Sequence, residues 1–198
     1  MTPEAHTRPK LFAFSGAHSC GKSTTINDVL EQLTQEGYSV DKADDVARDS
    51  SLPLNTESNF HAQLSIMDKH IQQEINYLRS ENTVVLLDRT VYDHIAYATW
   101  LNQNQKLDNQ ELRTLWDLVE GHEVVRSYDA VFYLSLLPLV MDPARSNSIY
   151  YQKRIQDKIH YNLERRVGHE RIVYVHDTDR LRRCEIISRE IIRRLVGE

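Results

Sequence analysis

The sequence predicts an α/β fold of three layers, a five-stranded parallel sheet with helices on both faces. Three observations carry that expectation. Short apolar runs recur at 11–15, 38–40, 83–88, 130–137 and 171–176. Segments with apolar residues at helical spacing separate them, the alternation that builds parallel sheets. No repeat, low-complexity tract or long linker interrupts the pattern, so the 198 residues are expected to share one core.

Each element has its own signal. The run 11–15 is uniformly apolar before a glycine, which suits a buried strand, and 22–35 places Ile26, Val29, Leu30 and Leu33 on one helical face. A short run at 38–40 precedes a helix expected over 56–79, and the strand 83–88 ends in a carboxylate, Asp88. A helix is expected over 92–101. The next opens at Asp108, with Glu111 three residues on in the spacing of a reciprocal N-terminal cap and Leu112, Leu115 and Val119 following. After the fourth strand a charged helix begins near Tyr150. His176-Asp177-Thr178-Asp179 reads as a turn and cap for the last helix, with Leu181, Ile186, Ile187, Ile191 and Leu195 inward. Arg180, Arg182, Arg183, Arg189, Arg193 and Arg194, interleaved with acids, are expected on its solvated face.

Composition narrows the function. A net charge of −5 argues against nucleic acid as the main partner, and no apolar run approaches the ~20 residues that span a bilayer. Residues 1–9 are polar and carry prolines, so they read as a flexible arm ahead of a single domain at 10–198, neither signal peptide nor anchor. Two cysteines cannot form a disulfide framework, which points to a reducing, cytoplasmic setting. The nine histidines include no H-x-x-x-H pair backed by further ligands, so protein-held zinc is not expected.

Gly16 to Ser23 matches G-x-x-x-x-G-K-[ST], the phosphate-binding P-loop, between an expected strand and an expected helix. Gly16, Ala17, His18, Ser19, Cys20, Gly21, Lys22, Ser23 and Thr24 are therefore the expected ATP phosphate site, with backbone N–H groups at a helix N-terminus facing the anion. Lys22 would reach the β- and γ-phosphates, and the Ser23 hydroxyl would hold Mg²⁺. Cys20 reads as inert packing rather than a redox centre. The motif makes the expected architecture a P-loop NTPase fold.

In open parallel sheets ligands bind beyond the carboxyl ends of the strands, where three polar segments stand out. Asp88 is the expected second Mg²⁺ group. Arg89 suits a phosphate or carboxylate on the acceptor side, or else an ion pair with Asp88 or Asp93. The segment 44–49 offers Asp44, Asp45 and Arg48; two adjacent acids cannot both face one site, and Asp45 is preferred. The third segment, 141–146, holds Arg145 where small-molecule kinases carry a lid, here expected around 140–150.

These residues resemble a known group. Gly16 to Thr24, then Asp88-Arg89 with Asp93 and Tyr97, look like the P-loop kinases of small metabolites, in particular thymidylate and deoxynucleoside kinases. Asp44-Asp45-Val46-Ala47-Arg48-Asp49 resembles the acidic-Ala-Arg-acidic segment of ribosylnicotinamide kinases and the AAA-type P-loop domain grouped with them. Asp142-Pro143-Ala144-Arg145, followed by Tyr151 and Arg154, resembles the lid of the same group. The resemblance implies that Asp45 or Asp44 accepts the proton of the attacking hydroxyl. It also implies that Arg145 closes over the transferring group and that Arg48, Arg89, Tyr92 and Asp93 bind the acceptor.

The function expected is phosphoryl transfer from Mg²⁺-ATP to a nucleoside, nucleoside monophosphate or similar small metabolite. The partner is then a small-molecule acceptor, not nucleic acid and not a membrane, with a homodimer left open. Two alternatives compete: a nucleotide-binding regulatory NTPase acting through a protein partner, and a kinase acting on nucleic acid. The base-reading N-K-x-D of GTPase switches is absent from the sequence.

Overall fold

The computed structural model describes residues 8–48, 52–122, 128–138 and 148–197. Five strands, β1 (Lys10–Ser15), β2 (Val40–Ala43), β3 (Val84–Asp88), β4 (Tyr128–Leu134) and β5 (Ile172–Val175), form one parallel sheet in the order β2-β3-β1-β4-β5. Among the described residues six α-helices cover it: α1 (Lys22–Gln35), α2 (Phe60–Tyr77), α3 (Val91–Gln103), α4 (Asn109–Gly121), α5 (Ile149–Arg166) and α6 (Arg180–Val196). The three-layer α/β architecture is the expected one.

Period-two alternation in the strands splits the core in two. Phe12, Phe14, Val84, Leu86, Ala130 and Phe132 face one way, onto Ile26, Val29 and Leu33 of α1 and Ile187 and Ile191 of α6. Leu11, Ala13, Val85, Leu87 and Val131 face the other way, onto α2, α3, α4 and α5. β1 is central and its five residues from Leu11 to Ser15 are all buried. Its neighbours β3 and β4 lie on opposite sides, so the chain changes direction across the sheet at the carboxyl end of β1, where a ligand cleft opens.

Local chemistry explains where the elements start. The reciprocal cap at Asp108 is present: Glu111 N–H donates to Asp108 Oδ1 at 2.8 Å and Asp108 N–H to Glu111 Oε2 at 2.9 Å. Thr90 and Asp93 make the same box for α3, while Ser148 caps α5 and Asp179 caps α6. The helix expected over 56–79 is divided instead: a 3₁₀ turn at Asn55–Glu57 precedes α2, whose cap Asn59 accepts from Ala62 N–H at 3.0 Å. The second strand also lies later than 38–40. Gly37, at φ 90°, turns the chain out of α1, and the strand proper is the polar edge Val40–Ala43. Its Asp41 accepts from Ser80 Oγ and Asn82 Nδ2 at 2.9 and 3.0 Å. The fourth strand stops at Leu134, and 135–138 leave the sheet as a loop.

The two described residues of the expected arm are tied down: Arg8 pairs with Asp129 at 2.9 Å and Pro9 is buried. Residues 1–7, and 140–147 of the expected lid, lie outside the described residues. Among the described residues no helix is long and apolar enough to cross a membrane.

The core also holds a charged cluster. Glu74 of α2 is fully buried and meets His70 Nε2 at 3.0 Å, His122 Nε2 at 2.8 Å and the donating Tyr128 hydroxyl. Burial alone would raise its pKa, but His70, His122 and Tyr128 together lower it to about 2. The cluster joins α2 to the end of α4 and the start of β4. Because the native pKa lies below the ordinary 4.5, its stabilisation is full above pH 4.5 and is lost as the pH falls toward 2. Glu74→Ala strands three buried donors and is expected to cost about 3 kcal/mol or more at neutral pH, read from urea unfolding.

Candidate active site

The loop between β1 and α1 is shaped by three residues at positive φ: Gly16 at 147°, Ser19 at 60° and Gly21 at 86°. A Cβ on Gly16 would lie 2.9 Å from Cys20 Sγ and 3.2 Å from Leu134 O, so only glycine fits. The first loop N–H groups are taken by the protein. Gly16 N–H donates to Asp93 Oδ1 at 2.9 Å, Ala17 N–H to Gln156 Oε1 at 2.7 Å and His18 N–H to the Tyr97 hydroxyl at 3.1 Å. Gln152 Nε2 donates to His18 O at 2.9 Å, and Arg183 Nη1 to Cys20 O at 2.7 Å. The later half of the loop runs into the N-terminus of α1, which has no side-chain cap and so presents unclaimed N–H groups to an anion. Lys22 Nζ bonds Gly16 O at 2.7 Å and Ala17 O at 3.0 Å, folded over the same cradle.

Beside the loop, Ser23 Oγ donates to Asp88 Oδ2 at 2.7 Å. The other oxygen, Asp88 Oδ1, is buried without a hydrogen-bond partner, and burial raises the Asp88 pKa despite Lys22 nearby. A hydroxyl and a carboxylate with a spare oxygen are the donor set a hard cation takes, so these residues fit Mg²⁺.

Asp88 is followed by Arg89, whose backbone sits at φ 94°, in the left-handed region that a side chain rarely adopts. Arg89 Nε meets Asp45 Oδ2 at 2.9 Å, with both side chains buried. Its guanidinium carbon stands 5.4 Å from the Tyr97 ring centre, and Nη1 has no hydrogen-bond partner. Burial would raise the Asp45 pKa, but Arg89 and Lys22 hold the carboxyl well below the ordinary range. Asp44 diverges: it is exposed and pairs with Lys42 at 2.9 Å. The Asp45–Arg89 pair forms one wall of a cleft whose other walls are Gln63 and Ile66 of α2, His94 and Tyr97 of α3, and Leu54.

The structure therefore brings together Lys22, Ser23, Asp45, Asp88 and Arg89, with Arg48 exposed at the cleft rim and Thr24 exposed on the first turn of α1. Two residues expected on the acceptor side are placed elsewhere. Asp93 is fully buried, and its carboxylate is taken by Ser15 Oγ, Gly16 N–H, Thr90 N–H and Thr90 Oγ1 at 2.7–3.0 Å, so it braces the phosphate loop. Tyr92 is buried toward a separate hollow with Trp116, Val119 and His122. Arg145 lies outside the described residues.

Sequence reasoning missed Gln152, Gln156 and Arg183. Arg183 was expected on a solvated face, yet it is buried. The signal was there: 183, 187 and 191 share one helical face, and two of them are isoleucine. Likewise Gln152 and Gln156 sit one turn apart on the face of α5 that carries Ile155 and Ile159 inward.

This fold and loop define an α/β protein of the P-loop class. A family model described as an AAA domain matches residues 11–180, and the chain belongs to that family. No curated protein matches it in sequence. Among solved structures, NadR in complex with NAD and AMP-PNP superposes with a TM-score of 0.74 at 14% identity, covering 98% of this chain and 51% of NadR. The chain thus spans about half the length of that neighbour. Deoxyadenosine kinase from M. mycoides with bound dCTP gives a TM-score of 0.66 at 17% identity, covering 92% of this chain and 98% of that one.

His94 adds a titratable wall. It is buried, its Nε2 has no hydrogen-bond partner, and its ring meets that of His70 edge-on at 4.6 Å. Burial first, then the charges of His70 and Arg89, push its pKa well below the ordinary 6.5. The unfolded chain therefore takes up a proton near pH 6.5 that the native protein refuses, and stability falls as pH drops through that value. Unfolding free energies between pH 7 and 5 are expected to slope downward by up to about 1.4 kcal/mol per unit from this group, and His94→Asn to remove that part of the slope.

Proposed function

We propose that this protein transfers the γ-phosphoryl group of Mg²⁺-ATP to a hydroxyl of a nucleoside. The observation that carries the reading is the buried Asp45–Arg89 pair, 2.9 Å apart, in a partly apolar cleft beside the phosphate loop. The kinase fold neighbours support it: one was solved as a deoxyadenosine kinase, and another is NadR in complex with NR.

Each residue then has a task. The α1 N-terminus receives the phosphates, and Lys22 exchanges the Gly16 and Ala17 carbonyls for the β- and γ-oxygens. Ser23 and Asp88 would hold Mg²⁺, which when bound would supply charge neutralisation to the phosphates. Asp45 is too acidic to be a strong base, because Arg89 keeps it ionised. Its part is to accept a hydrogen bond from the attacking hydroxyl and aim it, which suffices for a loose phosphoryl-transfer transition state. Arg89 fixes Asp45 and offers its free Nη1 to the acceptor. With that guanidinium already neutralised by Asp45, the cleft favours an uncharged acceptor over a nucleoside monophosphate. Arg145, outside the described residues, would by the sequence resemblance supply a cation to the transferring group.

The test is purified protein with Mg²⁺-ATP against nucleosides, ribosylnicotinamide and nucleoside monophosphates. ADP and a phosphorylated nucleoside are expected, and no product from any acceptor sinks the reading. Asp45→Asn is expected to lower kcat by about 10²-fold or more with the KM for ATP little changed. Asp88→Asn is expected to raise the Mg²⁺ needed for half-maximal rate by about tenfold or more.

A further inference from the structure

Arg183 opens α6 on the helix's apolar face, in line with the buried Ile187 and Ile191. Its guanidinium is committed to three backbone carbonyls from three different loops. Nη1 donates to Cys20 O at 2.7 Å in the loop after β1, Nη2 to Ser135 O at 2.7 Å after β4, and Nε to Asp177 O at 2.5 Å after β5. The planar guanidinium spreads these bonds over three separate nitrogens; a lysine ammonium also has three donors, but all on one atom, and so cannot reproduce this spacing. Burial lowers the Arg183 pKa, against the opposing charges of Cys20 and Asp177. The fold thus keeps a buried cation behind the phosphate loop, with Nη1 3.4 Å from where a Cβ on Gly21 would stand.

The bond to Cys20 O has a directional consequence. In a planar trans peptide the C=O and the following N–H point opposite ways. Holding the Cys20 carbonyl toward Arg183 therefore turns the Gly21 N–H away from it. We propose that Arg183 is a positioning residue for the donor phosphates: it orients the Cys20–Gly21 peptide and locks the phosphate loop to the loops after β4 and β5, so that ordering one orders all three. This rests on the ATP-site reading above.

Two measurements test it. Arg183→Lys keeps a charge but breaks the clamp, and it is expected to raise the KM for ATP about tenfold or more, with kcat at saturating ATP and the acceptor KM within about twofold. Equal KM values for ATP in both proteins overturn the proposal. The second measurement uses the unaltered chain, so it decides the matter even if the variant does not fold. Amide hydrogen exchange is followed with Mg²⁺ and inorganic tripolyphosphate, which has no nucleoside to touch the distant loops. Slowed exchange at 16–25 together with 135–138 and 177–183 is expected. Slowing confined to 16–25 overturns the clamp alone; no slowing anywhere overturns the donor-site reading and the clamp with it.

Discussion

The buried carboxylate of Asp93 is the contact on which the site depends. A charge removed from water is tolerated only where hydrogen bonds replace hydration, and Asp93 has four: the Ser15 hydroxyl, the Gly16 N–H, and both the N–H and hydroxyl of Thr90. Two of these lie at the end of β1 and two at the start of α3. One side chain therefore caps α3, terminates β1 and sets the first peptide of the phosphate loop. Arg89 sits between Asp88 and this junction, and its left-handed backbone is held in place because β3 fixes one side and the Thr90–Asp93 box the other.

Around that junction the loop's polar groups divide by purpose. Asp93, Gln156 and Tyr97 occupy the N–H groups of Gly16, Ala17 and His18, and Gln152 and Arg183 occupy the carbonyls of His18 and Cys20. Each of these protein bonds also stops the loop from satisfying itself by collapse. The start of α1 has no side-chain cap, so its first N–H groups lack the partner a capping side chain would give. Preorganisation of this kind removes the ordering cost from the binding step.

Legibility in the sequence follows the physics of each feature. The core strands were readable because β1 and β3 are buried on both faces and hence uniformly apolar, whereas β2, a half-buried edge, carries Asp41 and Lys42 and hid its true position. Caps at Asp108 and Asp179 were readable because they are local pairs within three residues. The phosphate loop was readable because its glycines answer to local backbone angles. Asp93 was misplaced because its partners at Ser15 and Gly16 are nearly eighty residues away, and a capping acid looks the same in sequence as a ligand-binding one. Arg183 was misplaced because a run of arginines reads as solvated unless each is assigned to a helical face.

The same long-range contacts join the two halves of the cleft. Asp93 and Tyr97 stand one turn apart on α3; the first grips the Gly16 peptide and the second the His18 N–H. The Tyr97 ring meanwhile lies 5.4 Å from the Arg89 guanidinium, which holds Asp45. The phosphate loop and the Asp45 carboxylate are thus registered against one helix rather than against each other. In-line transfer needs the attacking oxygen and the phosphorus at a set separation, and a shared support fixes that separation without a flexible intermediary. On the proposed reading a strong proton acceptor is then unnecessary: an ionised carboxylate that cannot wander would be enough to aim the nucleophile.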